Sequence, residues 1–182
     1  MKDISEMTEA NLRSAFSGES QARMRYKVYS EVAQNEGFQN ISRLFEAIAY
    51  AERVHATNHL RRTAELAGQA VAESPYGVGD TLDNIRKGID GEAFEIEEMY
   101  PAYLRVAELQ NEGAARQSFE WALEAEKTHL EMYIDAEEFL EKDEDPKLGK
   151  IRVCNVCGYT TEGEVEEVCP ICGSKENYTI FD

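Results

Sequence analysis

The sequence predicts an all-α four-helix bundle with one long crossover, followed by a small C-terminal β/loop domain built around cysteines. Three observations carry that prediction. Four segments show apolar residues recurring at spacings of three and four, the mark of helices that bury one face. The chain repeats itself internally, each half holding a Glu-x-x-His motif, and all four cysteines cluster near the C-terminus. The 182 residues suit one bundle plus an appendage, and 42% hydrophobic content fills one long core rather than two. The bundle is expected over residues 1–145 and the cysteine domain over residues 146–182.

The first helix is read from the stripe Leu12, Ala15, Glu19, Ala22, Tyr26, Tyr29 and Ala33. The second follows Ile41, Leu44, Ile48, Glu52 and His55, and the third Ile85, Ile89, Glu92, Glu95, Met99, Tyr103, Val106 and Leu109. The fourth follows Phe119, Ala122, Glu126, His129, Tyr133 and Leu140. Gly37, Gly68 and Gly113 are expected to end the first three helices, and the fourth fades into Asp143-Glu144-Asp145-Pro146. Pro101 should kink the third helix, because it lacks a backbone donor and clashes with the preceding turn.

The connection over residues 69–80 contains Ser74-Pro75-Tyr76-Gly77 and is longer than the other links. About twelve extended residues span roughly 40 Å. A helix of about 27 residues has that length, so this link can cross the bundle from end to end.

Ala51-Glu52-Arg53-Val54-His55 aligns with Ala125-Glu126-Lys127-Thr128-His129, and at the same offset Phe45-Glu46 falls on Phe119-Glu120. Gly18-Glu19 corresponds to Gly91-Glu92. A Glu and a His three positions apart share one helical face and reach the same ion. Glu19, Glu52, Glu92, Glu95 and Glu126 all fall on apolar stripes, where an unpaired carboxylate costs several kcal/mol, so each needs a cation or strong hydrogen bonds. Glu97, Glu98, Glu137 and Glu138 read instead as a solvated face. One Glu from each of two helices plus Glu-x-x-His from each of the other two is the ligand set of ferritin-like di-iron and di-manganese bundles. His59, one turn beyond His55, reads as a non-ligand, and Trp121 and the methionines read as packing.

Cys154-Asn155-Val156-Cys157-Gly158 and Cys169-Pro170-Ile171-Cys172-Gly173 are two C-x-x-C knuckles, each closed by glycine. The glycines allow tight turns that aim N–H groups at sulfur. The loop between them, residues 160–168, is short and acidic. Four thiolates suit zinc or a single iron. The neighbouring bundle favours iron, since a di-iron site that turns over needs an electron supply and zinc offers none.

The net charge of −17 argues against nucleic acid and fits a basic redox partner. No run is long enough to span a membrane, and Met1-Lys2-Asp3-Ile4-Ser5-Glu6 has no apolar leader, so the cytoplasm is the expected compartment. Gly77-Val78-Gly79 lacks the third glycine and the strand context of a dinucleotide fingerprint.

With both sites in this order, the chain resembles the rubrerythrin family: a ferritin-like di-iron bundle followed by a rubredoxin-like domain. The most specific stretch is Glu92-Ala93-Phe94-Glu95 followed by Glu98-Met99-Tyr100-Pro101, because Glu95 breaks the internal repeat where the first half has Ala22. The resemblance implies two iron ions in the bundle, bridged by Glu52 and Glu126, with Glu19 and Glu92 as terminal ligands and His129 on one iron. It implies that Glu95 holds the other iron when oxidised and His55 when reduced. Tyr26 and Tyr100 match positions that hydrogen-bond the ligand carboxylates. Cys154, Cys157, Cys169 and Cys172 would hold a third iron.

The implied activity is reduction of hydrogen peroxide to water, with electrons from a separate NAD(P)H-linked reductase or a rubredoxin. The implied assembly is a homodimer in which the rubredoxin-like domain of one subunit serves the di-iron site of the other. Two rival readings are an iron-oxidising, iron-handling protein and a non-catalytic zinc-ribbon module on a metal bundle.

Overall fold

The computed structural model describes residues 4–64, 68–164, 167–175 and 177–182. Residues 1–3, at the start of the segment read as having no apolar leader, and residues 165–166 of the acidic loop lie outside that set.

Helix α1 (Glu6–Glu36) and helix α2 (Gln39–Leu60) form a tight antiparallel hairpin. Gly37 closes α1 at φ 97°, a left-handed cap that suits a residue without Cβ, and the Phe38 N–H reaches back to the Ala33 carbonyl at 2.9 Å. The crossover then leads to α3 (Thr81–Phe94), a five-residue π-helical turn (Glu95–Met99), α4 (Tyr100–Leu109) and α5 (Gly113–Leu140). Beyond the bundle, β1 (Ile151–Cys154), β2 (Thr160–Glu162) and β3 (Tyr178–Phe181) form an antiparallel sheet in the order β2-β1-β3.

The stripes read for α1, α2 and α5 are all buried. They build two apolar layers, one around Tyr26, Tyr29, Phe45 and Tyr133, the other around Leu12, Tyr100, Ala107 and Phe119. Ile151 and Val153 of β1 enter the first layer, so the sheet shares the bundle's core.

The structure corrects three expectations. Helix α2 stops at Leu60, well short of Gly68. Gly113 opens α5 rather than ending the helix before it; Asn111, at φ 57°, takes the left-handed position there, as asparagine readily does. The third stripe changes register at the π turn. A π turn adds one residue to a helix and rotates the residues beyond it by about a third of a turn. The inward positions of α4 are therefore Tyr100 and Ala107, while Leu109 is 84% exposed. Pro101 sits in the first turn of α4, where the lost donor is tolerated.

Helix N-termini are tied by residues far away in sequence. The Asp145 carboxylate accepts from the Asn40 and Ile41 N–H groups at 2.9 and 3.2 Å, fastening the linker onto α2. Glu36 accepts from the Thr81 N–H at 2.9 Å, and Gln110 from the Thr8 N–H at 3.0 Å. Such caps contribute about 0.5–2 kcal/mol each.

Candidate metal centre

Between the two apolar layers lies a polar one. Glu19 from α1, Glu52 and His55 from α2, Glu92 from α3, and Glu126 and His129 from α5 are all nearly inaccessible to solvent. Their ligand atoms form two overlapping groups, Glu19–Glu52–His55–Glu126 and Glu52–Glu92–Glu126–His129, each with its donors within 4.8 Å of one another. Glu52 and Glu126 belong to both. The two groups are thus two adjacent pockets sharing a pair of carboxylates, a geometry suited to two cations bridged by those residues.

Both imidazoles turn Nδ1 inward. His55 Nδ1 lies 2.7 Å from Glu126 Oε1 and 2.9 Å from Glu52 Oε2, and His129 Nδ1 lies 2.6 Å from Glu126 Oε2. The outer nitrogen of His129 is 2.9 Å from the Thr160 hydroxyl, which itself donates to the Gly158 carbonyl at 3.0 Å. Thr160 therefore accepts from His129 Nε2–H, and Nδ1 is aimed at the carboxylates, donating to Glu126 when protonated and offering its lone pair to an ion when that proton leaves.

The electrostatics call for cations. Burial, then repulsion from neighbouring carboxylates, pushes Glu19, Glu92 and Glu95 well above the usual carboxylate range. Burial also opposes ionisation of Glu126, yet His55 and His129 beside it hold its carboxyl far below that range. Burial pushes His129 down, but Glu126 and Glu52 overcome this and raise it to about 9. Glu19 Oε2 and Glu52 Oε1 are buried without a hydrogen-bond partner. Four carboxylates and two imidazoles at this spacing fit two divalent first-row ions, which would match the negative charge and engage those free oxygens.

Glu95 stands apart. It opens the π turn, is only partly buried, and contributes to neither donor group. His55 occupies the Glu19 side instead. Tyr26 donates to Glu92 Oε1 at 2.8 Å, and Tyr100 donates a short hydrogen bond to Glu19 Oε1. The register change at the π turn is what aims Tyr100 inward. His59 lies outside both donor groups and bonds Tyr100 and Ser118.

The four cysteines are free thiols that converge. Cys154 and Cys172 sulfurs are 3.7 Å apart, and Cys157 and Cys169 sulfurs 3.6 Å. A tetrahedron with metal–sulfur bonds of about 2.3 Å has edges of about 3.75 Å, so the cluster has the right size for one ion. Gly158 and Gly173 adopt φ 86° and 73°. Their own N–H groups bond the Cys154 and Cys169 carbonyls. The N–H groups that favour thiolate are those of Cys157 and Val156 toward Cys154, and of Cys172 and Ile171 toward Cys169. Cys157, through its side-chain hydrogen bond, holds Cys154 at about 4.

This segment is seated on its own chain's bundle. Asn58 donates to the Val156 carbonyl at 2.8 Å, Tyr50 to Asn155 Oδ1 at 2.7 Å, and Trp121 packs against the cysteines. Gly158 lies so close to His55 that a Cβ there would fall 2.1 Å from Nε2. Within this chain the cysteine segment thus touches the carboxylate site.

Sequence reasoning did not single out Thr160, Ser174, Ser118 or the role of His59. Ser174, whose hydroxyl lies 3.2 Å from Cys172 Sγ and 3.4 Å from Cys154 Sγ, follows the second knuckle glycine and was the most accessible of them. Nothing in the local sequence marks Thr160 as the partner of His129.

Comparison with known proteins agrees with this architecture. A rubrerythrin family model matches residues 10–137. Rubrerythrin-2 of Clostridium acetobutylicum is 44% identical over 173 residues, covering 94% of each chain. Nigerythrin of Nitratidesulfovibrio vulgaris is 33% identical over 178 residues, 96% of this chain and 86% of the relative. The solved structure of nigerythrin in its fully reduced, all-ferrous state superposes with a TM-score of 0.86 at 32% identity, covering 99% of this chain and 89% of the other. The chain belongs to the rubrerythrin family, with a carboxylate and histidine site for two irons in a ferritin-like bundle and a four-cysteine site for a third.

Proposed function

We propose that this protein is a peroxidase that reduces hydrogen peroxide to water, drawing electrons through the cysteine-held iron. The observation that carries this reading is the junction between the two sites. Thr160 bonds the outer nitrogen of His129, and Gly158 rests against that of His55. A storage protein or a zinc-ribbon interaction module has no need of a thiolate cluster pressed onto both histidines of a buried carboxylate site.

Bound iron supplies two-electron reduction in the bundle and one-electron transfer at the cysteines. The protein's part is placement. Glu52 and Glu126 span both pockets, Glu19 and Glu92 close them, and Tyr26 and Tyr100 hold the outer carboxylates in orientation. Glu95 and His55 are the pair that exchange on the Glu19 side. A carboxylate favours the ferric charge and a neutral imidazole the ferrous one, and the π turn gives Glu95 a backbone able to shift. A separate NAD(P)H-linked reductase or a rubredoxin would refill the cysteine iron.

A homodimer and a cytoplasmic setting belong to the same proposal. Among the described residues, no helix is long and apolar enough to cross a membrane.

Stopped-flow oxidation of the fully reduced protein tests the reading. Peroxide should oxidise it faster than dioxygen does, and the red absorbance of the cysteine iron should follow. Faster oxidation by dioxygen with a retained mineral core would identify an iron-oxidising protein instead.

A further inference from the structure

A groove of about 550 Å³ lies where the C-terminal half of α5 meets strand β2 and the linker before β1. Its floor is apolar: Leu44 and Ala136 are buried there beside Met132, Leu148 and Tyr159. Its rim is acidic. Glu131, Asp135 and Glu138 line it from α5 and Glu162 from β2, and all four are exposed. Lys147 is the one cation among the described lining residues, and it forms no ion pair with any of them.

Charge pairing along α5 sets these acids apart. Glu120 meets Arg116 at 3.1 Å, Glu124 meets Lys127 at 2.6 Å, and Glu137 and Glu141 share Arg86 at 2.7 and 2.9 Å. Glu131, Asp135 and Glu138 follow one helical face at spacings of four and three, and none of them has a cation among the described residues. Like charges at that spacing repel one another along a helix, so a positive partner relieves the face. A bare ion would make no use of the apolar floor beneath. A polar rim around an apolar centre is the anatomy of a protein interface, and acidic surface speeds the approach of a basic partner.

What the groove reaches decides the kind of partner. Tyr159 packs against the cysteines, and its carbonyl accepts from the Cys154 N–H at 2.8 Å. Thr160, the next lining residue, bonds His129. A segment seated in the groove is thus separated from the thiolates by Tyr159 alone. We propose that this groove is the docking surface of the electron-donor protein, which enters it with a basic segment carrying apolar side chains. The proposal rests on the reading of the cysteine iron as the entry point for electrons, and it names where the donor binds. Each encounter moves one electron from the donor to the ferric cysteine site, and no atom or proton transfers with it.

The test titrates full-length, zinc-loaded protein with a synthetic peptide of alternating lysine and leucine and follows its amide NMR signals. Shifts should gather at residues 131–139 and 159–162. Glu131→Gln combined with Asp135→Asn and Glu138→Gln should weaken binding about tenfold. Glu6→Gln combined with Glu31→Gln and Glu97→Gln removes the same charge elsewhere and should weaken it less than about twofold. In iron-loaded protein, the ferrous cysteine site should reduce a basic ferric c-type cytochrome, and the groove variant should slow that reaction about tenfold at low salt while the other leaves it nearly unchanged. Equal losses in the two variants would reduce the effect to net charge and overturn the proposal. So would peptide shifts on another face, or saturable binding of Mn²⁺ alone at these residues with no binding of peptide. If the iron-loaded protein passes no electrons to the cytochrome, the electron-entry reading fails by itself, and the peptide titration still decides whether the groove takes a basic segment.

Discussion

His129 Nε2 donates to the Thr160 hydroxyl at 2.9 Å, so a strand of the cysteine segment sets the tautomer of a histidine inside the helical bundle. The two metal sites are therefore joined by a bond that orients a ligand as well as by proximity.

Thr160→Val removes the acceptor and leaves a buried imidazole N–H unpaired. The expected cost is about 1–3 kcal/mol in folding and about 10- to 100-fold in metal affinity on the His129 side. Thr160→Ser, which keeps the hydroxyl, should retain most of both. Denaturant titration and competition with a chelator measure the two effects. Equal metal affinity in all three proteins would show that the bond does not orient His129.

Gly158→Ala tests the contact on the other histidine. Its backbone sits at φ 86°, and the added Cβ would fall 2.1 Å from His55 Nε2. A left-handed non-glycine residue costs about 1–2 kcal/mol, and the ring or the knuckle must also move. The thiolate iron should keep its colour while electron arrival in the bundle slows by about tenfold or more. Rapid-mix reduction followed at both sites checks this, and an unchanged rate would mean the seating is incidental.

The helices were legible because burial repeats with the helical period; Glu19, Glu52 and Glu126 stood out as carboxylates on that period. The layer contacts were less so. Asp145 capping α2 and Thr160 completing His129 are pairings set by tertiary packing, and no local pattern encodes them. The π turn illustrates a subtler loss. Its segment reads as continuous α-helix, so the predicted stripe runs through Met99 and Val106 to Leu109, one residue out of phase with the Tyr100 and Ala107 that are buried. The four cysteines were the opposite case, since spacing within each knuckle is itself the geometry.

Glu95→Ala addresses the exchange proposed with His55. In the structure His55 completes the Glu19 group without Glu95, so the variant should still bind two ferrous ions. Peroxide turnover should fall by about 10²-fold, with the loss in reoxidation rather than in metal loading. Ferrous titration and single-turnover kinetics separate these. Undiminished turnover would remove Glu95 from the redox cycle.

Metal removal should invert the pH dependence of stability. Glu19, Glu92 and Glu95 have folded-state values raised above their ordinary ones, chiefly by burial. Their contribution is complete below the usual carboxylate range and is lost as pH rises toward and through the raised values. His129, raised to about 9, acts in the same direction: its contribution is present below its ordinary value and lost as pH climbs through about 9. Glu126 is depressed, so its contribution is already complete above the carboxylate range and stays constant there. His59, lowered to about 3, gains stability with pH only up to its ordinary value, so from about pH 7 to 9 each of these shifts either weakens the stripped protein as pH rises or leaves it alone. Loaded protein should do the reverse, because ions bind deprotonated carboxylates and neutral imidazole, and protons compete with them. Denaturation midpoints of chelator-treated and iron-loaded protein, measured in parallel, should diverge with rising pH. Parallel curves would mean that these buried groups are not the ones the ions engage.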